Sequence, residues 1–170
     1  MILCGIQTNA MQNNAFQLVL PRFPLVQYFS TDFVMPDLHL PQATVASPWT
    51  DIPMAGDKPV FLPMSFNFLV NEDMSNYEEV YNWIHSIGFA SSYQDFTNYQ
   101  NKDAPHQSLG EQDAKVIFLS AKGNPLRTVT FYDAIPIALG GMTPFTTQDP
   151  STQIVRASVT MAYSRWAFTD

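Results

Sequence analysis

The sequence predicts a mainly β domain, a β-sandwich or small barrel with one flanking α-helix. Two long stretches alternate apolar and polar residues with a period of two, Met64–Val70 and Val155–Tyr163, as strands buried on one face require. A helical period of apolar residues stands out in one stretch, Ser75–Ile87. The aromatic share of 14% comes mostly from Phe and Tyr, which suit a pleated surface.

The expected organisation is an N-terminal arm over 1–13 and a single domain over 14–170. The arm is polar, rich in Asn and Gln, and without period. Asn14–Leu20 is a first strand, stopped by Pro21-Arg22-Phe23-Pro24. Leu25–Val34 is a second strand, ended by Met35-Pro36. The stretch 36–59 then carries prolines at 36, 41, 48, 53 and 59. So long a connection inside a compact domain usually has a task. Its apolar members Leu38, Leu40, Val45, Trp49, Ile52 and Met54 are too many for a solvated tether. Two arrangements accommodate them: an excursion folded back on its own core, or a projecting loop or hairpin that packs on another copy.

Val60–Val70 reads as one strand with Met64, Phe66, Phe68 and Val70 on its buried face. Asn71-Glu72-Asp73 turns the chain into a helix over 75–87. Ser75-x-x-Glu78 is expected as a capping box, Tyr77, Val80, Tyr81, Ile84 and Ile87 as the buried stripe, and Glu78, Glu79, Asn82 and Ser86 as the wet face. Gly88 is expected to end the helix in a left-handed conformation. Residues 89–110 are polar and aperiodic. Asp113–Ala121 and Leu126–Leu139 form a hairpin around Lys122-Gly123-Asn124-Pro125, with Pro136 marking an edge or bulge. After the break at Gly140–Pro144, Gln153–Phe168 reads as a single strand of about 50 Å at ~3.3 Å per residue. A strand that outruns its domain offers an edge to another chain.

Composition narrows the function. Only 14% of residues are charged, against about 25% in typical domains. That scarcity suits a surface covered by something other than water. The formal net charge is −7, and the eight basic residues are scattered, so no basic patch for a nucleic-acid backbone can be read. Neither a membrane-spanning run nor a secretory signal is evident. The single cysteine, Cys4, cannot form an internal disulfide, which fits folding in a reducing cytoplasm.

The sequence predicts no catalytic, cofactor-binding or metal-binding residues. His39, His85 and His106 lie in a Pro-rich loop, on the helix and in a polar loop, none with a second ligand at metal spacing. There is no Gly-x-Ser-x-Gly elbow, and Gly140-Gly141 is followed by no Gly-Lys-Ser/Thr. Glu72 and Asp73 could serve acid–base work or a cation, but a solvated turn leading into the helix explains them more simply. Cys4 has no basic neighbour to activate it.

Several stretches stand out by their order along the chain: Leu40-Pro41; Ala55-Gly56-Asp57-Lys58 before an aromatic strand; Phe68–Asp73 followed by the helix with Trp83; Ala134-Ile135-Pro136-Ile137; and Gln153-Ile154-Val155 with Val159–Tyr163. Together they resemble the tail-tube protein family of contractile-tailed bacteriophages, including the baseplate proteins that initiate the tube. The likeness spans about 14–168, with no counterpart for Ser91–Gly110. It implies a non-enzymatic virion protein, assembled in the host cytoplasm, whose hexameric rings share an inner β-barrel and stack through the long loop and the termini. It also implies neighbouring tube or baseplate proteins and a tail sheath as partners, no membrane, and DNA that passes the lumen without specific binding. An acidic balance suits such a conduit, since like charge suppresses phosphate contacts. The rival from another class is a monomeric β-sandwich module binding carbohydrate or protein, with Trp49, Trp83 or Trp166 as stacking platforms.

Overall fold

The computed structural model describes residues 16–21, 23–88, 112–142 and 154–169, together with 94 and 97. The expected arm, most of the polar stretch 89–110 and part of the break after Gly140 lie outside the described residues, as do Cys4 and His106.

The elements with defined bounds among the described residues follow in chain order: β1 (Phe16–Val19), α1 (Pro24–Tyr28), β2 (Ser30–Val34), β3 (Leu38–His39), β4 (Gln42–Val45), β5 (Ile52–Ala55), β6 (Val60–Phe61), β7 (Met64–Leu69), α2 (Ser75–Gly88), β8 (Gln112–Leu119), β9 (Pro125–Leu139), β10 (Arg156–Ala162) and β11 (Arg165–Thr169). The main sheet runs β1-β8-β9-β10-β7-β2, with β11 also on β9. Its pairings are antiparallel throughout.

The fifteen-residue β9 is the spine. Its first part lies between β8 and β11, and its last part pairs with β10. Between the two, Asp133 adopts φ 56°, a left-handed conformation that Asp tolerates better than most residues. Ser164, at the matching bend between β10 and β11, locks the corner: its N–H donates to Tyr132 O (3.0 Å) and its hydroxyl to Asp133 Oδ2 (2.7 Å). The sheet thereby divides into two lobes, β1-β8-β9-β11 and β9-β10-β7-β2. Phe33 on β2 meets Phe16 on β1 (6.0 Å between ring centroids) as well as Phe118 and Phe131, so the ends of the sheet fold toward each other. This is the expected sandwich or small barrel.

The core lies between the lobes. Leu18, Val116, Val129 and Phe131 come from one, and Met64, Phe66, Phe68, Ala157, Val159 and Met161 from the other. In β7 and β10 burial alternates as the sequence predicts. The β8–β9 hairpin also forms where predicted. Its turn is closed by Gly123 N–H on Ser120 O (2.8 Å), with Gly123 at φ 79°, where a side chain would be strained.

Several elements differ from expectation. The stretch 25–34 is not one strand: Pro24 opens the five-residue α1, which buries Val26, and β2 starts at Ser30. Proline is preorganised for the first helical turn, which outweighs the β preference of Val and Tyr here. Val60–Val70 breaks at Leu62-Pro63 into β6 and β7. Gln153–Phe168 is likewise two strands, bent at Tyr163-Ser164, so β10 and β11 follow the corner in β9 and do not outrun the domain. Pro136 does mark a bulge: Thr160 pairs with Ala138 and Met161 with Pro136, leaving Ile137 extra.

The expected capping box is replaced. The Ser75 hydroxyl bonds Asp73 Oδ1 and accepts from Asn71 Nδ2, while the Glu78 N–H donates to Met74 O. The buried face of α2 is centred on Asn76, Val80 and Trp83, with Tyr77, Ile84 and Ile87 at its margins and Tyr81 exposed. Trp83 stacks on Phe23 with ring centroids 4.5 Å apart. Gly88 is the last helical residue and does not take a positive φ. Left-handed caps sit one position past the last helical residue, so Gly88 lies a step too early for that role.

Candidate functional site

The features that stand out are surfaces rather than a cleft. The stretch 36–59 folds as a projecting hairpin. β4 and β5 pair only with each other among the described residues, in the register Ala43–Met54 and Val45–Ile52. That register puts Ala43, Val45, Ile52 and Met54 on one face, since alternate residues of a strand share a side. Every residue of both strands is exposed, and Trp49, in the connecting turn, is 94% exposed. Leu38, Leu40, Val60 and Leu62 extend the apolar surface to its base. At the base, the Gly56 N–H donates to Pro41 O (2.8 Å), and a Cβ at Gly56 would collide with that oxygen. Of the two arrangements open to this stretch, the described residues show the projecting one, with β4 and β5 off the core. A two-stranded ribbon is marginal alone in water, and an apolar face of this kind marks a contact surface.

The second surface is the outer face of the lobe β9-β10-β7-β2. Ser65 and Asn67 of β7 lie beside Thr160 and Ser158 of β10, giving a small, polar, uncharged centre. Its charges, Asp32 on β2 and Arg156 on β10, pair across β7 at 3.7 Å and offset each other. Being exposed, that ion pair contributes little to stability. The described acids otherwise gather in the projecting region (Asp37, Asp51, Asp57), near the start of α2 (Glu72, Asp73, Glu78, Glu79) and beside the corner (Asp113, Asp133).

The structure does not bring the sequence-predicted candidates together. His39 is exposed on β3, and His85 lies beside Tyr81 on α2. Among the described residues no group of three His, Cys, Asp or Glu could hold a metal ion, and no helix is long and apolar enough to cross a membrane. Asn71 and Asp73 serve the helix start: the Asn71 N–H donates to Asn76 Oδ1 (3.2 Å), and the Ser75 N–H points at Asp73 Oδ1 (3.5 Å). The three tryptophans share no platform. Trp83 is buried, Trp166 is half-buried against Phe61 and Phe168, and Trp49 projects alone from the hairpin.

Two residues escaped the sequence reading. Tyr163 donates its hydroxyl to Leu62 O (2.6 Å), tying the bend between β10 and β11 to the break before β7, and burial pushes it up to about 12. Glu79, assigned to the wet face, is half-buried, and burial raises its carboxyl above the ordinary value of 4.5. For Tyr163 the only signal was its place at the end of an alternating run; for Glu79 it was proximity to a stripe drawn one residue off.

A family model described as phage tail tube protein matches residues 5–169. No curated protein matches the chain. Among solved structures, the fold is similar to the tube-terminating cap of the anti-feeding prophage, with a TM-score of 0.62 and 14% identity over 96% of this chain and 93% of that one. It is similar also to a protein of the sheath–tube complex of the PVC extracellular contractile injection system in its extended state (0.57, 13%, 95% and 93%). A third likeness is to a protein of the anti-feeding prophage baseplate (0.59, 11%, 96% and 97%). At these identities the likenesses show the fold, whereas the family match covers nearly the whole chain. The chain belongs to the phage tail tube protein family, and its role is that of a structural component of the tail.

Proposed function

We propose that this chain closes into hexameric rings that stack into the tail tube, the conduit for DNA, either as the repeating subunit or as the initiator of the tube at the baseplate. The observation that carries the proposal is the projecting hairpin, whose apolar face nothing covers within the described part of one copy. A neighbouring ring of the same protein supplies a matching surface, and the tail sheath or a baseplate protein covers what remains. The outer face of the lobe β9-β10-β7-β2 suits the channel wall. Its Ser, Thr and Asn side chains present no cluster of Lys or Arg to grip phosphates. The protein acts by assembly, without catalysis, and assembles in the host cytoplasm before entering the virion tail.

The test is light scattering of the purified protein over a concentration series, with Trp49→Ser beside the wild type. The wild type is expected to give ring mass and then longer stacks, and the variant rings that do not lengthen. A single-chain mass at every concentration, and within tails, would overturn the reading.

A further inference from the structure

The lobe β1-β8-β9-β11 ends on β11, which among the described residues pairs only with β9. Its other edge therefore presents backbone groups without a ladder partner, and proteins normally cover such an edge, charge it or break it with proline. β11 has no proline, and its one charge, Arg165, lies 4.6 Å over the ring of Tyr132 on the neighbouring strand. Two side chains mark the edge as a contact surface. Trp166 and Phe168 stand opposite Phe131 and Val129, both fully buried, so β11 turns them toward the core. Phe168 is nevertheless 62% exposed, and the Trp166 indole N–H, closed off from water, has no acceptor. A strand laid along β11 would cover the ring and bring backbone carbonyls beside the indole.

The chain's own beginning has the reach and the chemistry for this place. Residues 1–15 precede β1 and carry no charge, and they include Ile2, Leu3 and Ile6. Extended, they span about 50 Å at ~3.3 Å per residue. Phe16 pairs with Phe118 on β8 and Phe118 with Arg127 on β9, while the next residue, Thr128, pairs with Thr169 on β11. The start of β1 is thus level with the end of β11, three strands or about 14 Å away at ~4.8 Å per strand. Crossing to the far side of β11 takes about six residues at that rise and leaves enough chain to follow its whole length. The free edge of β1 is a poorer seat, because its inward residues Phe16 and Leu18 already pack in the core.

We propose that the N-terminal residues lie as an added strand along β11 of the same copy, with Ile2–Ile6 covering Phe168 and a main-chain carbonyl accepting from Trp166 Nε1. The contact lies within one copy, so it stands or falls apart from the ring reading.

The test uses the full chain and its natural thiol. On mild oxidation Phe168→Cys is expected to form a disulfide with Cys4, seen as a faster-migrating single chain on a non-reducing gel. Gln17→Cys, on the edge of β1, and Trp49→Cys, on the hairpin, should leave Cys4 free. A second measurement needs no disulfide geometry. The edge-facing amides of 165–169 should exchange with deuterium slowly in the wild type and at least tenfold faster when Ile2→Pro, Cys4→Pro and Ile6→Pro are combined. The amides of β7 and β10 should stay protected in both, reporting an intact fold. Where no cysteine pair cross-links, the exchange result decides. Fast exchange at 165–169 in the wild type, or no change with the prolines, would overturn the proposal. Cross-linking through Gln17→Cys alone would place the segment on β1, and cross-links only between copies would give it to a neighbour; either result overturns the closure within one copy.

Discussion

Trp83 is the largest side chain fully buried in the core, and its stack on Phe23 holds α2 beside the approach to α1. Trp83→Ala should cost about 3–5 kcal/mol in chemical denaturation, because truncation leaves a cavity that the closely packed surroundings cannot fill. Glu79 works in the opposite sense. Its folded-state value lies above the ordinary one, so the ionised carboxylate is the disfavoured form and stability is lost as pH rises through that range. Glu79→Gln should therefore melt higher than the wild type at pH 7, with the gap closing below the ordinary carboxyl value. Thermal melts at the two pH values check this. Residues such as these show why the helix was only partly legible. Asn76 is polar yet fully buried, because its amide donates to Leu69 O (2.7 Å) and its oxygen accepts from the Asn71 N–H. A stripe drawn by hydropathy passes over an Asn that satisfies backbone at a strand end, and so it settled one residue away.

Elements were legible where one face is buried and the other wet, as in β7 and β10, since period-two burial writes itself directly into residue type. They were not legible where the chain bends without glycine or proline. Tyr163-Ser164 carries neither glycine nor proline, and the bend there comes from bonds to Tyr132 and Asp133, some thirty positions away in the chain. The short α1 was hidden because one turn of helix has no period to detect. Projection of the hairpin is not legible for a different reason: its apolar residues look alike whether they face the chain's own core or a neighbour. Removing the Tyr163 hydroxyl tests the joint at the bend. Tyr163→Phe should cost about 1 kcal/mol, the usual net value of a hydrogen bond, read as a shift of the denaturation midpoint. Gly56→Ala tests the hairpin alone. It should shift the melting of the domain by no more than about 0.5 kcal/mol, since the hairpin contributes nothing to the core. Light scattering of the same variant should show that it no longer lengthens beyond single rings, because the collision with Pro41 O opens the base.

At the scale of the whole molecule, the domain is a bent sheet with core on one side of each lobe and surfaces that invite more protein on others. The expected class, β-sandwich or small barrel, holds, with a second short helix added. The overlong final strand that first pointed toward assembly does not exist. The proposed assembly rests instead on the hairpin, whose apolar face nothing covers among the described residues. The described carboxylates gather mainly in the projecting region and around α2, while the outer face of the lobe β9-β10-β7-β2 has a polar, uncharged centre and one offsetting ion pair. The central claim is that one copy is an incomplete piece of a hollow wall. End-on electron-microscope images of the purified full-length protein at high concentration test it most directly. The account predicts closed rings of repeated subunits around an empty centre, with the lobe β9-β10-β7-β2 innermost. Solid, single-chain particles showing no central hole would contradict it.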